Sequence, residues 1–162
     1  MKPLLKSILS SIVYLMLAIN TPAILAQAPT TVEAFDVQMD RLERVSVDIT
    51  TAQKAYFPPR SNNDKVAHDI LQFASVEITA ASREMFFLQQ MMEIENMTTD
   101  NVNRYVSKLV IGQKSYIQKR FSRNADRIKS LAIEAKKSQP VLVVGSLNQA
   151  EEALRSSVML AR

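Results

Sequence analysis

Residues 64–95 read DKVAHDILQFASVEITAASREMFFLQQMMEIE. Apolar side chains recur along this stretch at Ala67, Leu71, Ala74, Ile78, Ala81, Met85, Leu88 and Met92, in alternating steps of four and three. At 3.6 residues per turn that alternation places them on one stripe of an α-helix, the pattern of a coiled-coil interface. A second file, Val66, Ile70, Phe73, Ala80, Phe87, Met91 and Ile94, runs beside the first. The apolar face is therefore wide, and a helix of this kind is expected at the centre of a bundle. Its start is expected at a cap on Asn63 or Asp64, and its end near Glu95.

Working outward, the same helical period continues in both directions. A preceding helix is expected from about Val32 to Ala55, with Thr30 and Glu33 at capping-box spacing. Its apolar seam is Val32, Phe35, Met39, Leu42, Ile49 and Tyr56, interrupted by Ser46, and Pro58-Pro59 stops it because proline lacks an amide donor. A third helix starts at Thr99 or Asp100 and reaches Lys137, with Val102, Tyr105, Leu109, Tyr116, Phe121, Ile128, Leu131 and Ala135 on its apolar side. Gly112 lies inside it, where it either admits a close neighbour or marks a bend. Pro140 ends this helix or begins the next. The last helix is expected over Leu147–Leu160, capped by Ser146 with Gln149, and the Val141-Leu142-Val143-Val144 run before it reads as a further helical turn. The chain holds only two glycines, Gly112 and Gly145, which argues against folds built on tight hairpins. The expected class is all-α, an elongated antiparallel up-down bundle of three to four long helices. Residues 27–162 form its single domain.

The first segment, MKPLLKSILSSIVYLMLAINTPAILAQ, has the layout of an export signal. Lys2 and Lys6 give a positive start, Ile8 to Ile19 an apolar run, and Asn20, Thr21 and Pro22 a polar break before the small residues Ala23, Ala26 and Ala28. Cleavage after Ala26 is favoured, since a cut after Ala28 would leave Pro29 first. Retention as an anchor is the alternative, but spanning a bilayer takes about 20 apolar residues. The expected location is periplasmic or secreted, with membrane contact only through this segment. Without residues 1–26 the formal charge falls from +4 to +2, so nucleic-acid binding is not expected. There is no cysteine, so neither a disulfide nor a thiol nucleophile is available.

Charge is polarised between neighbouring helices. Residues 61–100 carry a net −5 and residues 101–139 a net +8. Attraction between the two helices is the first explanation, although an exposed pair contributes less than about 1 kcal/mol. The strongest functional candidate is the basic stretch Lys119, Arg120, Arg123, Arg127 and Lys129. Lys119, Arg123 and Arg127 follow at four-residue spacing and share one face, suited to an acidic partner or an anionic envelope surface. A second candidate is the Tyr56-Phe57-Pro58-Pro59-Arg60 turn, whose aromatics otherwise close the end of the core. Phe86 falls among Gln72, Thr79 and Gln90 on a polar side, where it faces a partner or another helix.

Other chemistry is poorly supported. His68 is the only histidine, and with Asp64 it offers two ligands where structural zinc takes four; a solvated histidine is the simpler reading. Met85, Met91, Met92 and Met97 could hold a soft metal, but methionine is a common filler of helical cores. No nucleophile-and-base set is evident, so no catalytic, metal-ligating or cofactor-binding residue is expected. The expected activity is protein binding as an adaptor, assembly factor or chaperone, with another envelope protein as partner. A ligand- or metal-binding bundle is the alternative, and self-association is open, since so regular a seam pairs within or between chains.

Overall fold

The computed structural model describes residues 31–98 and 100–162, and the export segment and Thr30 lie outside the described residues. Among the described residues there are four α-helices and no strand: α1 Thr31–Lys54, α2 Asn62–Met97, α3 Asp100–Ala135 and α4 Val141–Leu160. Partners run in opposite order between successive helices. Asp36 of α1 accepts from Gln89 of α2, while Gln53 lies 3.1 Å from His68. Glu95 of α2 accepts from Ser107 of α3, while Glu77 meets Arg120. Gln118 of α3 donates to the Ala161 carbonyl, while Asp126 pairs with Arg155 of α4. Gln38 donates to Ala153 and Ser157, and Ala52 of α1 lies beside Ser146. The result is an up-down-up-down four-helix bundle.

α2 carries the predicted seam. Ala67, Leu71, Ala74, Ile78, Ala81, Met85 and Leu88 are all fully buried. The second file does not bury as expected: Val66, Phe87 and Ile94 are exposed. α2 is also capped two to three residues earlier than expected, because the Ser61 hydroxyl accepts from the Asp64 amide while the Asp64 carboxylate accepts from the Arg60 amide, 3.0 Å away. This reciprocal arrangement satisfies two backbone donors at once.

The diagonals of the bundle are unequal. α2 and α4 touch across the centre, whereas α1 and α3 stay apart. Side-chain size accounts for this. α2 brings Ala67, Ala74 and Ala81 inward, and α4 brings Ser146, Ala150, Ala153 and Ser157. α1 and α3 fill the remaining width with Phe35, Leu42, Ile49, Ile117, Phe121 and Ile128. Interdigitation of small with large residues gives interiors their close packing.

Three sequence expectations need correction. In α1 the buried file is Phe35, Gln38, Leu42, Val45, Ile49 and Ala52, so Val45 holds the place assigned to Ser46, and Val32 is exposed. Gln38 is tolerated inside because its amide donates to the Ala153 carbonyl and the Ser157 hydroxyl, each at 2.9 Å. In α4 the helix begins directly after Pro140, and Ser146 is a buried mid-helix residue, not a cap. Proline's fixed φ suits a helix start, and the Val143, Leu147 and Ala150 file carries the buried face through. In α3, Val102, Tyr105, Leu109 and Tyr116 are exposed, and the core side is Val110, Ile117, Phe121, Ala125 and Ile128.

Gly112 neither ends nor divides α3, and an added methyl group would meet nothing within 4 Å. Gly112→Ala is therefore expected to stabilise the fold by about 1 kcal/mol, the helix-propensity difference, measured by urea denaturation. A loss of stability would mean that the glycine relieves a contact within the chain.

Candidate anionic-partner face

The exposed side of α3 is one continuous stripe. Val102, Tyr105, Leu109, Gly112, Tyr116, Lys119, Arg123 and Arg127 follow in steps of three and four, and all are exposed. Tyr105 is 72% exposed and Leu109 62%. Alongside, α2 presents Phe73, Ala80, Phe87 and Ile94 at seven-residue spacing. Phe73 packs on the core edge, and Phe87 is 54% exposed. The two helices thus border a shallow outer groove. Its α3 wall is apolar from Val102 to Tyr116 and cationic from Lys119 to Arg127.

At the cationic end, the recess is lined by Phe73, Glu77, Tyr116, Lys119, Arg120, Arg123, Asn124 and Arg127. The four basic residues play different parts. Arg120 is structural: its guanidinium lies 3.5 Å from Glu77 and 3.9 Å from Glu84 on α2, and donates to the Tyr116 hydroxyl at 2.7 Å. Burial lowers its pKa, but the Tyr116 hydrogen bond and the two carboxylates more than offset that, and the net shift is upward. Asn124 donates to the same Glu77, and Gln113 to Glu84. The facing carboxylates of α2 are thereby occupied.

Lys119, Arg123 and Arg127 make no ion pair among the described residues. Arg127 lies with its guanidinium carbon 4.4 Å from the centre of the Phe73 ring, an attractive cation–aromatic contact that also holds the side chain in place. The three cations surround a site whose own acids are already engaged. Such an arrangement attracts carboxylates or phosphates, and the attraction weakens as salt rises.

The other sequence candidates lie elsewhere. Phe86 is exposed, but it follows Ser82 and Arg83 on the side of α2 that borders α1. Tyr56 and Phe57 sit in the α1–α2 turn; Tyr56 packs against the core and Phe57 is exposed. Lys129 is exposed, and with neither an ion pair among the described residues nor a place in the recess it joins no site. The candidates therefore do not converge, and only Lys119, Arg120, Arg123 and Arg127 share a site.

His68 is not solvated as expected. Its side chain is 20% exposed, its ring lies 5.7 Å from that of Phe57, and its Nδ1 approaches Asp69 at 3.4 Å instead of turning to Asp64. Met85 and Met91 are buried, Met92 is partly buried and Met97 is exposed. No group of three potential metal-ligating side chains occurs among the described residues, and no helix among them is long and apolar enough to cross a membrane.

The apolar half of the groove is what the sequence reading missed. Between 102 and 117, α3 carries two apolar files, Val102–Tyr105–Leu109–Tyr116 and Val106–Val110–Ile117. Only one can face the core, and the pair together already marks a surplus face. No family model, curated protein or solved structure matches the chain.

Proposed function

We propose that this protein is exported, loses residues 1–26, and works in the periplasm or outside the cell as an elongated helical binding protein. It performs no chemistry of its own and acts as an adaptor, assembly factor or chaperone by holding another envelope protein. The observation that carries the reading is the trio Lys119, Arg123 and Arg127, unpaired beside carboxylates that Arg120 and Asn124 already occupy. Among the described residues these cations form no ion pair, so an external anionic group is the natural complement.

The test is capture of proteins from an envelope extract on the immobilised protein, followed by titration of the purified captured partner. Replacing both arginines, Arg123→Glu with Arg127→Glu, is expected to weaken that complex by about tenfold to a hundredfold, as reversal of interface charge does. Raising the salt concentration should weaken the wild-type complex in the same direction. Unchanged affinity would remove this face from the binding reaction. A small molecule or metal retained in native mass spectrometry would instead favour the ligand-binding alternative.

A further inference from the structure

We infer that the partner presents an amphipathic α-helix, apolar towards one end and acidic towards the other, which lies along the α2–α3 groove as an added helix of the bundle. The inference rests on the proposed protein-binding role of this face and specifies what the face accepts. Helical spacing is the first argument. Phe73, Ala80, Phe87 and Ile94 recur every seven residues on α2, while the α3 stripe alternates threes and fours. Two antiparallel helices with outward residues at this spacing offer holes that accept the side chains of a third helix. An extended strand, with its period of two, has no such match.

Charge complementarity is the second argument, and it gives the added helix a direction. The register of Ser107 with Glu95 and of Arg127 with Phe73 sets Ile94 near Leu109 at one end of the groove. Ala80, the smallest of the α2 residues, falls near Lys119 and Arg123 at the other. An occupant must therefore bury apolar side chains against Phe87, Ile94 and Leu109 and present carboxylates to Arg123 and Arg127. From Leu109 to Arg127 the groove runs about 27 Å, the length of about 18 helical residues. A bilayer surface is a weaker match. A helix lying in a bilayer keeps cations beside its apolar sector along its whole length, whereas this trio stands beyond the end of one.

The inference is tested on the purified protein with three probes, by fluorescence anisotropy and by sedimentation with vesicles. One is a designed helical peptide of about 20 residues, with leucines at three- and four-residue spacing in one half and glutamates in the other. The second is the same peptide with a central proline, and the third is vesicles of anionic phospholipid. The helical peptide is expected to bind one-to-one, and to lose at least about tenfold in affinity on proline insertion, given the cost of proline inside a helix. It should lose a similar factor with Leu109→Ser and with Arg123→Glu/Arg127→Glu, substitutions at exposed positions whose folding is checked by circular dichroism. If the proline peptide binds equally well and still depends on the arginines, the helical partner is excluded while the protein-binding role stands. Arginine-dependent binding to vesicles without peptide binding overturns both readings, and failure of all three probes to bind overturns the helical-partner inference while the capture experiment decides the protein-binding role.

Discussion

Phe121→Ala is expected to destabilise the bundle by about 3–5 kcal/mol, the usual cost of deleting a fully buried aromatic side chain. Phe121 has no solvent exposure, and the backbones of α1 and α3, the helices of the wide diagonal, stay too far apart to close a cavity there. Arg120 stands with its guanidinium 5.9 Å from the same ring, so the bridge to α2 loses part of its support as well. The chain has no cysteine and so no disulfide to offset the loss. Against a typical total of about 5–15 kcal/mol, such a change removes a large share of the stability. Urea denaturation followed by helical circular dichroism measures it. Leu109→Ala, on the exposed stripe of the same helix, should change stability by only about 0.5 kcal/mol. Equal losses for the two variants would mean that the core and outer stripes of α3 have been assigned wrongly.

Ala74→Leu acts at the narrow diagonal. Ala74 is fully buried on the α2 face that also carries Ala67 and Ala81, and α2 touches α4 across the centre. Added methylene groups have no space unless those helices separate, and overpacking of this kind costs about 1–3 kcal/mol. Leucine has nearly the helix propensity of alanine, so the loss would report packing and not helix formation. The same measurement checks it. A neutral or stabilising result would show that the small residues do not set the distance between α2 and α4.

Most of the helical architecture was legible in the sequence because its strongest signal is local. The Ala67-to-Leu88 file admits only one buried face, and that face is the one observed. Rotation was harder where a helix carries two plausible files. In α1 the choice was decided by Gln38, whose burial depends on Ala153 and Ser157, more than a hundred residues away. In α3 the buried file of residues 102–117 is the one that continues into Phe121, Ala125 and Ile128, a continuity that the local pattern of residues 102–117 does not contain. The basic residues could be read as a cluster, but not the division of labour among them. That Arg120 serves the fold while Arg123 and Arg127 do not follows from Glu77 and Glu84 lying opposite Arg120.

The unequal helix lengths divide the molecule into two regions of different cooperativity. α4 ends where the Ala161 carbonyl meets Gln118, so α3 residues 100–117 continue past it beside α2. There Val110, with Ile117 at the inner boundary, supplies the buried α3 side chains among those described, while Ile111 stands open on the side that α4 has vacated. Segments with few buried contacts open locally at lower free energy than the global transition. The far end of the α2–α3 hairpin can therefore fray and re-form while the four-helix section stays folded. Amides there would exchange with solvent ahead of those around Phe121. The apolar half of the groove belongs to this softer region and the cationic half to the stiffer one.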